Sequence, residues 1–432
     1  MNHVSKALVA VPDPPDKPVR GHPPRTGPFG VLDIGTTKVT CLIGRADTDG
    51  LLRVMGFGWQ RGRGVRTGNI TDVAEAERAI RAAVGQAEDM ADTRLRGVTV
   101  NLSCGQPESR LFNVQWPVGG RIVGEADVRR VVQEGRSRAF SEGREVIHAL
   151  PLGFAVDDTS GIDDPRGLHC DQLMARLHVV DAAASALRNL MATVTRCDLD
   201  LAELVSAPFA AGLAVLVEDE RQLGATVVDM GGGTTSMAVF SEGHMLHTSM
   251  VPVGGSHVTN DIARLISTPV AQAERLKTLW GHAQSSPDDD REMLTVTLVG
   301  EEDHHVAKVP RSMVVSIIKP RLEETFELLR DRIASSGLGR AAGNRVVLTG
   351  GASQLVGARE LAARILDRQV RVGRPHGLRG MPDAASGPAF ATAAGLLAWA
   401  AGYGRSMHDI DFETERPAGL MRRFVNFLRD RM

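Results

Sequence analysis

What the chain has little of narrows its chemistry first. Aromatic residues make up 4% of its 432 positions, with a single tyrosine. That argues against the stacking platforms that hold single-stranded nucleic acid. Lys and Arg number 50 against 52 Asp and Glu, a net charge of −2. Without a basic field there is no electrostatic footprint for nucleic acid, and none is expected as a partner. The cysteines, Cys41, Cys104, Cys170 and Cys197, form no CxxC pair and read as reduced, buried thiols of a cytoplasmic protein rather than a disulfide framework. No apolar run approaches the roughly 20 residues that span a bilayer. The N-terminus carries no apolar core of a secretory signal.

What is present points to more than one core. A chain of this length, 43% hydrophobic and 24% charged, predicts two or more structural units. Residues 1–28 hold seven prolines and read as a disordered arm. Strands and helices then alternate. Gly30–Gly44 reads as a hairpin, Val73–Met90 as a helix, Val98–Leu102 as a strand and Pro320–Ser335 as a helix. Val118-Gly119-Gly120 reads as a turn after a strand. Asp288–Asp290 reads as a solvated acidic run.

One local design occurs twice: an apolar strand, an aspartate, a glycine/threonine turn and a second apolar strand. The first copy carries Asp33-Ile34-Gly35-Thr36-Thr37-Lys38, the second Asp229-Met230-Gly231-Gly232-Gly233-Thr234-Thr235. Glycine permits close backbone approach to a ligand. Successive N–H groups, threonine hydroxyls and a lysine make an anion cradle. Asp33 and Asp229 beside such cradles suit a hydrated divalent cation that neutralises phosphate. Taken singly, each turn is equally consistent with a plain hairpin. Together, nearly 200 residues apart, they predict a clamp on a polyphosphate. A third element, Thr349-Gly350-Gly351-Ala352, ends an apolar strand. It permits flat packing against a ring such as adenine, or serves as a simple strand-to-helix turn.

These three segments, in this order, resemble the phosphate and adenosine elements of the actin, Hsp70 and sugar-kinase superfamily. Ala87–Asp92, Val217–Gly224, Val228–Gly233 and Val347–Ala352 resemble, within it, the FtsA family of bacterial cell-division proteins. The resemblance implies an α/β, actin-like fold: two related halves, a central nucleotide cleft and a small inserted α+β subdomain of SHS2 type. It implies ATP and Mg²⁺ as cofactors, with Gly35, Thr36, Thr37, Lys38, Gly231, Gly232, Gly233, Thr234 and Thr235 on the phosphates. Asp33 and Asp229 would hold the metal through water. Glu274, Lys277, Gly350 and Gly351 would lie on the adenosine. It divides the chain into subdomain 1A (29–96, 178–205 and 389–405), inserted 1C (97–177), 2A (206–255 and 316–388) and 2B (256–315). One departure stands out. Many superfamily members place an acid or glutamine before a Pro-x-Ala-Ala segment, and here that position is Ala207. Loss of a water-orienting group costs roughly a hundred- to ten-thousandfold in rate, so ATP binding with slow or negligible turnover is expected.

After a polar linker at 406–415, residues 416–432 place Leu420, Met421, Phe424, Val425, Phe427 and Leu428 on one helical face, with Arg422 and Arg423 among five arginines. Such a helix suits the interface of an anionic membrane, or docking on the protein's own core. The resemblance implies a scaffold that forms filaments with itself on the cytoplasmic face of the inner membrane at the division septum. There it tethers filaments of the tubulin-like protein FtsZ and recruits other division proteins. A sugar or metabolite kinase of the same superfamily is the alternative.

Overall fold

The computed structural model describes residues 27–47, 51–300 and 306–403. The residues up to 26 read as a proline-rich arm, those at 406–415 read as a linker and those at 416–432 expected to form an amphipathic helix, with Leu420, Met421, Arg422, Arg423, Phe424, Phe427 and Leu428, lie outside the described residues.

Two large sheets share one topology. In the first, Asp200–Ser206, Gly97–Leu102 and Phe29–Ile34 run parallel, and Lys38–Ala46 and Leu52–Arg61 continue antiparallel. In the second, Gln369–Val372, Arg345–Thr349 and Ala225–Met230 run parallel, and Thr235–Ser241 and His244–Val251 continue antiparallel. The strands leading into the two turns are the central ones. Phe29–Ile34 is buried at every position and Ala225–Met230 at all but Asp229, as expected for strands covered on both faces.

Between the sheets lie two helices with no polar face, Ala207–Val215 and Ala391–Ala400. A helix apolar on every side is stable only when surrounded. Here Phe209, Trp399 and Phe240 pack with the alanines of both helices in one core. Small residues let the helix backbones meet. A Cβ on Gly395 would stand 1.6 Å from the carbonyl oxygen of Ala210.

A third, four-stranded sheet (order Glu108–Ile122, His169–Ala183, Arg144–Val156, Thr159–Ile162) with the helix Glu125–Arg138 forms the inserted module, around its own core. The structure moves the boundaries expected for this unit. Gly97–Leu102 belongs to the first large sheet, because it pairs on both sides there, and the module's last strand runs to Ala183. Gly119 and Gly120 do not end a strand. They form a bulge opposite Asp171, with φ of 74° and 73°, and pairing resumes at Arg121, as extra residues in one strand of a pair require.

Two further expectations are corrected. Pro320 does not open its helix, which spans Arg311–Ser335 with Pro320 inside. One missing N–H is outweighed by burial of Val314, Val315, Ile317 and Ile318 in the preceding turns. Asp289 is not solvated. It is 3% exposed, accepts from the Ser286 N–H at 2.7 Å and lies 3.6 Å from Arg311 Nε.

Gly395→Ala is expected to lower stability by about 1–3 kcal/mol through overpacking against Ala210. In urea unfolding the midpoint should fall with little change in slope. An unchanged midpoint would mean that the helix contact is slack.

Candidate functional site

Both turns project from the same edge of their sheets and close in the same way. The Gly35 N–H donates to the Lys38 carbonyl at 2.9 Å, and the Gly231 N–H to the Thr234 carbonyl at 2.9 Å. The turns face each other at close range. A Cβ on Gly232 would come within 2.4 Å of the Thr37 side chain, and one on Gly233 within 2.4 Å of Thr36 Oγ1. The glycines of the second turn are therefore required by the opposite turn as well as by any ligand. Behind the second turn begins the helix Gly255–Ile266. Its first N–H groups, on Gly255 and Ser256, donate to the carbonyls of Gly231 and Gly232 at 2.9 and 2.8 Å.

These elements line a cavity of about 450 Å³. Into it the structure brings Asp33, Gly35, Thr36, Thr37 and Lys38 from the first half, and Asp229, Gly231, Gly232, Gly233 and Thr234 from the second. Glu274, Lys277, Gly350 and Gly351 line the same space. Thr235 does not. Its side chain is fully buried and its hydroxyl donates to the Val253 carbonyl at 2.8 Å, while Ser236 lines the cavity instead. Thr235 begins a strand, where successive side chains take opposite faces.

The carboxylates sit at the floor. Burial, with Asp229 nearby, pushes the Asp33 carboxyl up to about 7 against the partial relief given by Lys38. Burial likewise raises Asp229, which accepts from Thr392 Oγ1 at 2.8 Å. Two carboxylates held in a poorly solvated cleft suit a cation, which would relieve the cost of their ionisation. Among the described residues no group of three or more His, Cys, Asp or Glu side chains is placed to hold a metal directly, in the cleft or outside it. Burial lowers the Lys38 ammonium to about 8. It donates to the Ala389 carbonyl and stands 3.4 Å from the centroid of the Phe390 ring. Gly350, at φ 83°, has no room for a side chain, because a Cβ would lie 2.4 Å from Asp229 Oδ1. On the adjoining wall, Lys277 Nζ donates to Glu274 at 2.7 Å, Thr259 Oγ1 at 2.9 Å and the Gly255 carbonyl at 3.2 Å. Lys277 is thereby fixed in the wall, while the Glu274 side chain remains exposed to solvent.

Sequence reading missed several lining residues. Asn101 is buried, its Oδ1 accepts from the Ile34 N–H at 2.8 Å, and its Nδ2 reaches Ser103 Oγ at 3.4 Å. It continues the sheet ladder beside Asp33 with a side chain. No local pattern announces this. Gly68, Gln354 and Thr392 also line the cavity, and only the glycine carried any signal. Ala207 lines it too, with no carboxylate or amide at that position; Glu203 is not among the lining residues.

The family model described as Cell division protein FtsA matches residues 226–395, and that described as SHS2 domain inserted in FTSA matches residues 104–181. The chain is similar to the cell division protein FtsA of Agrobacterium fabrum, 44% identical over 378 residues and 85% of each chain. Similarity to that of Escherichia coli K12 is 33% over 388 residues, 87% of this chain and 90% of the relative. Among solved structures it is similar to a PilM–PilN type IV pilus biogenesis complex (TM-score 0.62, 18% identity, 86% of this chain and 98% of that one). It is also similar to MreB5 of Spiroplasma citri bound to AMPPNP (0.52, 14%, 92% and 100%). At these identities the structural likeness establishes the fold, which is actin-like.

A carboxyl that keeps its proton in the folded state up to about pH 7, against an ordinary 3.8, stabilises the ligand-free protein below pH 4. That contribution is lost as pH rises through 7. Urea midpoints of ligand-free protein measured from pH 4.5 to 8 should therefore fall more steeply for wild type than for Asp33→Asn. Parallel curves would mean that Asp33 ionises normally.

Proposed function

The chain belongs to the FtsA family of cell-division proteins, and from that premise we propose that it is an ATP-binding scaffold that joins division filaments to the membrane. The observation that carries the nucleotide reading is the pair of matching Asp-Gly-Thr turns facing each other across one cavity. ATP would lie between them, its phosphates against the turns Gly35–Thr37 and Gly231–Thr234, with the Gly35 and Gly231 N–H groups closing the turns and the later N–H groups and hydroxyls facing the phosphates. Its base would lie toward Gly350, Gly351 and the Glu274–Lys277 wall. Mg²⁺, held through water by Asp33 and Asp229, would neutralise phosphate charge. Lys38 would exchange its Ala389 contact for a phosphate oxygen, gaining a charged partner in place of a neutral carbonyl.

Turnover is slow in this reading. Ala207 offers no group to orient water, which is worth roughly a hundred- to ten-thousandfold. The same absence disfavours the metabolite-kinase alternative. Nucleotide then acts as a ligand that favours one relative position of the halves, and the body self-associates into filaments. Among the described residues no helix is long and apolar enough to cross a membrane. Attachment is assigned to the Arg-rich amphipathic segment 416–432, where basic side chains meet anionic headgroups and Phe424, Phe427 and Leu428 enter the acyl boundary. The attached filament would hold FtsZ, through residues 256–315, and recruit later division proteins at the septum.

Sedimentation with anionic liposomes tests this. Full-length protein should pellet with vesicles and carry FtsZ filaments down. Removal of 416–432 should abolish pelleting without changing ATP binding. Retention of lipid binding in the truncated protein defeats the anchor assignment. A fast purified ATPase that Asp229→Ala abolishes defeats the scaffold reading.

A further inference from the structure

The inserted module is covalently part of the first half, entering after Leu102 and leaving into the helix Ala184–Arg196. Yet it is also fastened to the second half. His244–Val251 is the edge strand of the second large sheet, with backbone groups that need a partner or a cover. Ser109 of the module supplies one, its Oγ accepting from the Thr248 N–H at 3.1 Å. The same Oγ lies 2.5 Å from His178 Nε2 on the neighbouring strand of the module. Ser109 Oγ thus bridges the Thr248 N–H and the His178 ring. The His178 ring also lies against the Met245 backbone of the same edge strand. His178 is completely buried, and burial holds its pKa down at about 3, so the ring is neutral. The strand bearing Ser109 is held in turn by Asp181, 1% exposed, which pairs with Arg110 and with Arg144 Nε at 2.5 Å.

The module's entry is tied to the phosphate turns as well. The segment from Gly62 to Asn69 wraps the first turn. The Gly62 N–H donates to the Thr37 carbonyl at 2.8 Å, and a Cβ on Gly68 would lie 1.9 Å from the Ser103 carbonyl oxygen. Asn69 Oδ1 accepts from the Gly105 N–H at 3.0 Å. The base of the module is thus held at Gly105 to the segment around the first turn and, a little further along the chain, at Ser109 to the second half.

We propose that the inserted module is a brace between the two halves, with the Thr248–Ser109–His178 joint resisting cleft opening, so that nucleotide occupancy and the state of the module are coupled. This rests on the nucleotide reading above. Coupling of this kind is reciprocal: a partner that shifts the module changes nucleotide affinity by the same factor.

The test uses full-length protein and a fluorescent ATP analogue with Mg²⁺. Ser109→Ala is expected to release nucleotide roughly three- to tenfold faster, the effect of one lost hydrogen bond. Ser109→Thr, which keeps the hydroxyl, should stay near the wild-type rate. Hydrogen exchange in Glu108–Ile122 should slow on nucleotide binding in wild type and respond much less in Ser109→Ala. If Ser109→Ala fails to fold, Ser109→Cys keeps the volume with a weaker hydrogen-bonding group and should give the same directions. Equal release rates and equal exchange responses in wild type and a folded variant overturn the brace. If wild type binds no analogue at all, the nucleotide reading itself fails and the brace falls with it.

Discussion

The distance of closest approach between two backbone turns governs the cleft. Gly232 and Gly233 sit against Thr37 and Thr36 with no room for a Cβ, so the halves meet through main chain and hydroxyl rather than bulk. A side chain at either glycine would have to displace its opposite threonine or hold the halves apart. From this contact follow the shape of the cavity, the placing of Asp33 and Asp229 on its floor and the use of a helix N-terminus to fix the second turn.

Two features keep that contact in register. One is the pair of wholly apolar helices between the sheets, whose small residues bring Gly395 onto Ala210. The other is the reuse of one sheet topology in both halves, which sets the turns at matching strand ends. Burial at the floor makes ionisation of Asp33 unfavourable without a cation, so the depth of the cleft and the charge it would accept are two sides of one constraint.

The two hairpins were legible because each is a short, local pattern: a buried strand, an aspartate, a glycine turn. Their facing arrangement was legible only through repetition. Thr235 misled because a motif read as a string ignores the strand's alternation, which gives Ser236 to the cavity and Thr235 to Val253. Asp289 and Pro320 misled because burial by distant residues overrode local propensity. Asn101 and Ser109 carried no signal at all. Ser109 meets Thr248 across 139 residues of sequence, and neither residue type at such a position suggests a joint.

Calorimetric titration of the full-length protein with ATP, in the presence and absence of Mg²⁺, is the most direct test of the cleft as a nucleotide site. Saturable one-to-one binding is expected, tightening with Mg²⁺ and as pH rises from 6 to 8, and largely removed by Gly232→Val. Absence of saturable binding, or binding indifferent to Gly232→Val, would contradict that assignment.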